Sequence, residues 1–469
     1  MPPLPTGEPV WDLQFNEDGK LTSPAQGSFL ADVAAAGVTD LFVFSHGWGT
    51  SQNSARQLYN TMFPLIRTAA HGLPGIGTVG FAGIYWPSLW FPPTPKATPP
   101  PAAGAQQADG GALVDLSAGT AALSGADIAA ALRPGFADPA QAAAITQIGQ
   151  LIDDGESPAG AAESDDAKQQ RLEQISQLIK SLTPPPAPDG EFEDAGETAL
   201  LLTDDPAADY QAAADAFGST PPAGAQQDLG DWFGKAIGGA KDVLRVFSYN
   251  TMKARAGTVG RNGLGPLLAA LHAQSPAVRV HLIGHSFGAR LVSFALSGVG
   301  GPASSPVASL LLLQGAFSHW SFAHAQDNPF GSPGALNAYA DRVHGPLVAT
   351  HTVYDWAVGV WYPKASFLAH QDAAAAVADR WGGMGSDGFQ AVKPAEDRAM
   401  PAQGGTSYGL AHGTFYWIDA ASVINDTTNE SFSGAHSDIK KLPVAQLAAS
   451  ASEVEVPVVE HDGSWHTLH

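Results

Sequence analysis

The sequence of 469 residues contains no cysteine. Disulfides, thiolate nucleophiles, cysteine-ligated zinc and iron–sulfur clusters are therefore excluded. Charged residues are also scarce, at 14% of the chain, while hydrophobic residues make up 44%. This balance excludes disorder driven by charge and predicts a sizeable core. No apolar run approaches the ~20 residues that cross a membrane as a helix, so we expect no integral membrane segment.

Positive charge is the scarcest kind, with 23 Lys and Arg against 45 Asp and Glu and a net charge of −22. This balance disfavours nucleic acids and anionic membranes as partners. The first eight residues, MPPLPTGE, lack the basic and apolar regions of a signal peptide. The sequence therefore predicts a cytoplasmic protein.

The acidity is concentrated in one segment. Residues 101–234 hold 22 acids, four bases and no histidine, a net charge of −18, while the other 335 residues carry only −4. Proline clusters mark the edges of this segment. We therefore predict an α/β domain in two parts, 1–90 and 231–450, interrupted by an acidic Pro/Ala-rich insertion at 91–230 and followed by a tail at 451–469.

Two amphipathic stripes lie inside the insertion, and each predicts a helix. The stripes consist of Ile145, Ile148, Leu151 and Ile152, and of Leu172, Ile175, Leu178, Ile179 and Leu182. Two interpretations remain open: a lid or cap over a functional site, and a partly disordered linker.

Outside the insertion, apolar strands alternate with helical segments. The predicted strands span 39–45, 77–86, 278–284, 307–314, 346–354 and part of 414–424. Continuous apolar strands of this kind are typical of a sheet buried on both faces. The body is therefore predicted to be an α/β fold with a mostly parallel central sheet flanked by helices.

The string Gly284-His285-Ser286-Phe287-Gly288 stands between a predicted strand and a predicted helix. This context is typical of a nucleophile elbow, a tight turn that holds the serine in a strained conformation. The amides of the following helix would stabilise negative charge that develops beside the serine. The alternative is a strand–helix turn with no chemistry.

A serine needs a histidine to take its proton and an acid to orient that histidine, and elbow hydrolases carry them in the order Ser, acid, His. Asp355 ends a predicted strand and is the candidate acid, whereas Asp327 and Asp341 lie in loop-like sequence. His436 follows the last predicted strand and is the candidate base. His412, which precedes that strand, is the alternative.

The loop after the strand at 39–45 reads His46-Gly47-Trp48 and is the candidate oxyanion loop. The predicted donors are the N–H groups of Phe287 and of Trp48 or Gly47. For the side chain of His46 we expect a bracing role in that loop.

Three further residues are candidate substrate contacts: Trp86, Trp356 and His285. The tryptophans fall near predicted strand ends, where ligands bind in such sheets, although ordinary packing accounts for them equally well.

These motifs resemble the α/β-hydrolase superfamily, and within it bacterial serine esterases and lipases. The resemblance rests on His46-Gly-Trp48, Gly284-His-Ser286 and Ala435-His-Ser-Asp438, and it covers roughly 31–90 and 240–445. Gly49 stands where the family pattern leads us to expect asparagine. Asp438 is expected to cap the final helix.

The resemblance implies an α/β-hydrolase fold and hydrolysis of a small-molecule or lipid carboxylic ester through an acyl-serine intermediate. It implies a triad of Ser286, Asp355 and His436, with no cofactor and no metal. Alternatives on the same triad are a phospholipase, a thioesterase or an acyltransferase. A catalytically inactive hydrolase fold that serves as a binding module is the alternative outside enzymes.

Overall fold

The structure is a computed structural model. It describes residues 4–88, 124–136, 138–182, 244, 248, 251–328, 331–361, 382–403, 407–428, 434–453, 457–459 and 465–467. Parts of the predicted insertion, at 91–123 and 183–230, and most of the predicted tail at 451–469 lie outside these residues.

A nine-stranded sheet forms the centre of the described chain. Its strands run in the spatial order β2-β1-β4-β3-β5-β6-β7-β9-β8, and every neighbouring pair is parallel except β1 with β2. The strands are β1 Val10–Phe15, β2 Leu21–Ser23, β3 Asp40–Ser45, β4 Val79–Tyr85, β5 Arg279–His285, β6 Val307–Leu313, β7 Leu347–His351, β8 Ala395–Ala399 and β9 Phe415–Asp419. A separate antiparallel pair joins β10 Pro457–Val459 to β11 Trp465–Thr467. The predicted α/β class with a mostly parallel sheet is confirmed.

Helices cover both faces of the sheet. One face packs against α1 Gln26–Ala35, α7 Gly265–Gln274 and α8 Phe287–Gly298, and the other against α2 Gln52–Ala70 and α10 Leu442–Ala451. The short helix α9 spans Met384–Asp387. Side chains of β3 alternate between the two apolar clusters, as a central strand buried on both faces requires. None of the described helices combines the length and hydrophobicity needed to cross a membrane.

The sheet has a topological switch point between β3 and β5. From β3 the chain passes to β4 on one side, and from β5 it passes to β6 on the other. In open parallel sheets, ligands bind in the crevice outside the carboxyl ends of the strands at such a point. Ser45 of β3 pairs with Gly284 of β5, so the two following loops leave the sheet side by side.

The two predicted helices of the insertion are present. They are α4 Pro139–Glu156 and α6 Asp165–Leu182, and they accompany α3 Gly125–Leu132 and α5 Pro158–Ala161. Each predicted stripe is buried except for Leu151 and Leu178, which are partly buried against the same core. These helices belong to the apolar cluster that also contains Trp48 and Trp86.

Arg255 connects the end of β4 to the segment after α3. Its guanidinium donates to the carbonyl of Pro87, at 2.9 Å, and to that of Gly135 beyond α3, also at 2.9 Å. Glu17 lies 3.3 Å away and compensates part of the charge. The segment that ends α3 is therefore held next to the carboxyl end of β4.

A buried polar cluster lies at the amino-terminal edge of the sheet. Asp40 accepts hydrogen bonds from His281 at 3.2 Å and from the N–H of Gly77 at 2.8 Å, and it pairs with Arg279. Ser309 contacts the other nitrogen of His281 at 3.0 Å. Burial raises the pKa of Asp40, but the hydrogen bonds from His281 and Gly77 outweigh it, so the pKa lies below its usual value.

Asp40→Asn should lower the free energy of unfolding by about 2–4 kcal/mol at pH 7, because it removes the carboxylate that accepts from the buried His281 and pairs with the partly buried Arg279. A carboxyl group with a lowered pKa in the folded state stabilises the fold above its usual pKa and ceases to do so as pH falls through the folded-state value. The difference in the free energy of unfolding between variant and wild type should therefore become smaller below about pH 4. Chemical denaturation at pH 7 and pH 3 measures this, and an equal difference at both pH values would contradict the assignment.

Candidate active site

Ser286 occupies a strained turn between β5 and α8. Its backbone adopts φ 57° and ψ −124°, a region that non-glycine residues rarely occupy. Ser286 immediately follows His285 and precedes Phe287, the first residue of α8, and it is only 4% exposed. A strained residue of this kind persists only when its surroundings hold it, and here every residue from Phe287 to Leu296 is buried.

The glycines of the turn are required by close packing. A Cβ atom on Gly288 would lie 2.2 Å from the carbonyl oxygen of Ser45, and one on Gly284 would lie 2.3 Å from the carbonyl oxygen of Gly288. Any side chain at either position would force β5 and α8 apart or push the turn away from β3. The sequence pattern around Ser286 is therefore explained by the geometry of the turn.

Asp355 and His436 form a buried pair. Nδ1 of His436 lies 2.8 Å from Oδ2 of Asp355, and both side chains are at most 1% exposed. Because the carboxylate only accepts, the hydrogen bond places the proton of the neutral imidazole on Nδ1 and leaves a lone pair on Nε2. That Nε2 atom is buried and has no hydrogen-bond partner within the described part of the chain.

The chain brings His436 to Asp355 by pairing two loops. The strand β7 ends at His351, and a turn at 352–354 carries the chain to Asp355, which forms an isolated antiparallel bridge with Gly434. The N–H of Ala435 donates to the carbonyl of Tyr354 at 2.8 Å. The predicted strand at 346–354 was therefore too long, because β7 ends at His351 and a turn separates it from Asp355.

His436 also lies against the elbow. The Nε2 atom of His285 donates to the carbonyl of His436 at 2.9 Å, and the two rings are 4.9 Å apart. His285 is the residue before Ser286, so this contact fixes the loop of the candidate base next to the candidate nucleophile. No hydrogen bond joins Ser286 Oγ to His436 Nε2 among the described contacts. Such bonds are often long before substrate binds.

Gln314 holds the acid and was not found from the sequence. Its Nε2 atom donates to Oδ2 of Asp355 at 2.8 Å, and its Oε1 atom accepts from Thr350 at 2.8 Å. The second oxygen of Asp355, Oδ1, accepts from the N–H of Val358 at 3.0 Å. Gln314 directly follows β6 and is fully buried with φ 47°. A polar residue at a strand's carboxyl end was the available signal.

The loop after β3 approaches Ser286 closely. A Cβ atom on Gly47 would lie 2.7 Å from Cβ and 3.2 Å from Oγ of Ser286, so only glycine permits this approach. The helix α8 begins at Phe287, directly after Ser286, and the rings of Phe287 and Trp48 are 6.2 Å apart. The backbone of Gly47 and the start of α8 are therefore both next to Ser286.

The same loop is braced by its neighbours. The carbonyl of His46 accepts from Nε1 of Trp86 at 3.0 Å, and the two rings stack with centroids 5.7 Å apart. The N–H of His46 donates to the hydroxyl of Tyr59 at 3.1 Å. Ser88 donates to the carbonyl of Thr50 at 2.9 Å. Trp86 is 4% exposed and supports this loop through its indole N–H.

The two other histidines near Ser286 are neutral at pH 7. Burial lowers the pKa of His46 to about 4, against a hydrogen bond to the carbonyl of Gly47 that raises it. Burial and the neighbouring His436 lower the pKa of His285 to about 3. Neither ring carries charge in the neutral range, and both have structural hydrogen bonds, so His436 is the histidine best placed to exchange a proton with Ser286.

The remaining sequence candidates are placed as follows. Trp356 follows Asp355, is 37% exposed and packs against Gly434. His412 lies beside Gly345 at the opposite edge of the sheet, away from Asp355. Asp327 pairs with Lys393.

Asp438 does not cap the final helix. Its Oδ2 atom accepts from the N–H groups of Asn425 and Asp426, at 3.0 and 2.9 Å, and pairs with Lys441. The helix α10 begins at Leu442 without a side-chain cap. The expected cap was wrong because Asp438 binds an earlier loop instead, and this contact anchors the segment that carries His436.

The elbow, the buried pair and the glycine loop meet at the switch point of the sheet. No protein-family model, curated protein or solved structure matches the chain. A function is therefore inferred from the geometry of the site and the chemistry of its residues.

Proposed function

We propose that the protein is a serine hydrolase that cleaves carboxylic esters. The observation that carries this proposal is the buried His436, held through Nδ1 by Asp355, left with a bare Nε2 and packed on His285, the residue before the strained Ser286. A buried acceptor without a donor is costly and requires an explanation. Here the missing donor would be the hydroxyl of Ser286 as substrate enters.

The reaction follows from these positions. His436 Nε2 takes the proton of Ser286 as Oγ attacks the ester carbonyl, and Asp355 stabilises the imidazolium that forms. The N–H groups of Phe287 and of Trp48 or Gly47 would hold the oxyanion. His436 then gives the proton to the leaving alcohol. Water, activated by the same Nε2, releases the acid from the acyl-serine.

The chain order also supports an α/β-hydrolase fold. The nucleophile follows β5, the acid follows β7 and the histidine comes last, which is the order found with nucleophile elbows. The proposed oxyanion loop follows β3 and precedes α2, the position that such hydrolases use. We further propose that the insertion is a cap, because its helices share a core with Trp48 and Trp86 and Arg255 fastens it beside the site.

Trapping the acyl-enzyme tests the proposal. The protein is mixed with p-nitrophenyl acetate or butyrate, quenched in acid and measured by intact mass. We expect a burst of p-nitrophenol and a mass increase of one acyl group that peptide mapping locates on Ser286. Acylation at another residue would remove Ser286 as the nucleophile. No acylation with any ester up to octanoate would favour the inactive binding module.

Gln314→Ala should lower kcat/KM by roughly 10–100-fold by freeing the carboxylate of Asp355. The removed donor orients Asp355 and holds no substrate, so the loss should fall on kcat and leave KM within about twofold of wild type. The exposed Gln57→Ala is the matched control. A wild-type kcat combined with a lower melting temperature would make Gln314 a residue of the fold alone.

A further inference from the structure

A second histidine–carboxylate pair lies near the candidate active site. Nδ1 of His319 is 3.0 Å from Oδ2 of Asp387, and the His319 side chain is 5% exposed. As at His436, this contact places the proton of the neutral ring on Nδ1 and leaves a lone pair on Nε2. That Nε2 atom is buried and has no hydrogen-bond partner in the part of the chain that the structure describes.

The second pair is connected to the first through α9. The carbonyl of Gly385 accepts from Nε2 of Gln314 at 3.1 Å, the same atom that holds Asp355. Two residues later, Asp387 holds His319. One short helix therefore supports the carboxylate of each pair.

The segment that carries His319 also touches the elbow. The N–H of Ala316 donates to the carbonyl of Ser286 at 3.2 Å, and the N–H of His319 donates to the carbonyl of Gly382 at 3.1 Å. His319 lies three positions after Ala316, so their Cα atoms are at most roughly 11 Å apart. His319 thus lies within the reach of a substrate whose carbonyl is at Ser286.

The surroundings of His319 are built around its ring. A Cβ atom on Gly382 would lie 2.2 Å from Cε1 of His319 and 2.2 Å from Oδ2 of Asp387, so only glycine lets the backbone close over this pair. Trp320 meets the ring edge to face at 4.6 Å. These contacts fix the ring without satisfying Nε2.

We propose that His319 is a specificity-determining residue whose Nε2 accepts a hydrogen bond from a hydroxyl group of the substrate, remote from the scissile carbonyl. The bare lone pair, with the carboxylate of Asp387 behind it, repels anions. An apolar group would leave the buried acceptor unsatisfied, and an ammonium would have to be desolvated. The substrate class is therefore a hydroxyl-bearing ester. This inference rests on the proposed ester hydrolysis at Ser286.

The test uses matched pairs of p-nitrophenyl alkanoates with and without one hydroxyl, placed at successive carbons from C3 to C8. A second series carries the hydroxyl on the alcohol of alkyl butyrates. For wild type, kcat/KM should favour the hydroxylated ester by roughly 10–100-fold at one position. His319→Ala should bring that ratio to about one while leaving kcat/KM for the plain ester within about threefold, since the removed contact involves only the hydroxyl.

His324→Ala is the matched control, because His324 lies in the same loop and contacts Asn337 through Nδ1 at 2.9 Å. The control should keep the wild-type ratio. A ratio near one at every position in wild type, or an unchanged ratio in His319→Ala, would overturn the role of His319. In either case turnover of the plain esters continues, whereas failure of the proposed function would abolish that turnover for every protein tested.

Discussion

Ser286→Ala should lower kcat/KM for a short-chain p-nitrophenyl ester by at least about 10⁴-fold. The variant removes the atom that would form the covalent bond in the proposed reaction, and it leaves the buried pair of Asp355 and His436 in place. What remains is catalysis by the oxyanion donors and by substrate binding. Steady-state kinetics on purified wild type and variant measure the loss.

A second serine variant separates chemistry from folding. Ser293 lies two helical turns along α8, is fully buried, and its hydroxyl has no hydrogen-bond partner among the described residues. Ser293→Ala should keep kcat/KM within about threefold of wild type. Turnover that persists in Ser286→Ala would contradict the assignment of Ser286 as the nucleophile.

Asp355→Asn should lower kcat by about 10⁴-fold, the size expected when the histidine is held in the wrong tautomer. The carboxylate receives donors on both oxygens: Val358 N–H on Oδ1, and Gln314 and His436 on Oδ2. The side-chain NH₂ group of an asparagine at this position must face either Val358 or the pair of Gln314 and His436. If the NH₂ faces His436, Nδ1 must accept and the proton moves to Nε2, where it blocks proton transfer from Ser286.

The matched control for this change is Asp327→Asn, because Asp327 pairs with the exposed Lys393. Its kcat should match that of wild type. A loss of less than tenfold in Asp355→Asn, with folding intact by circular dichroism, would remove Asp355 from the mechanism.

The parts of the molecule that follow from local rules could be predicted from the sequence. The apolar strands β3 and β5 and the Gly-x-Ser-x-Gly turn each have one strongly favoured geometry. The two helices of the insertion followed from their apolar stripes. The edge strand β8 could not be found, because its sequence Ala-Glu-Asp-Arg-Ala has no buried face.

Hydrophobic periodicity could not predict the contacts between segments that lie far apart in the chain. Gln314 and His319 became functional candidates only when the loop after β6 was seen to pair with α9. For the same reason Asp438 was expected to cap its own helix, whereas it binds an earlier loop. Sequence spacing predicted the order of Ser286, Asp355 and His436, but the residues that hold them lie far apart in the chain.

Labelling with a fluorophosphonate probe is the most direct test of the central claim, that Ser286 is a nucleophile activated by His436 and Asp355. The probe reacts with serines that a competent base activates. We predict one covalent adduct per chain, located on Ser286 by peptide mapping and absent in Ser286→Ala and His436→Ala. Unlabelled wild-type protein, or labelling that persists in His436→Ala at the wild-type rate, would contradict it.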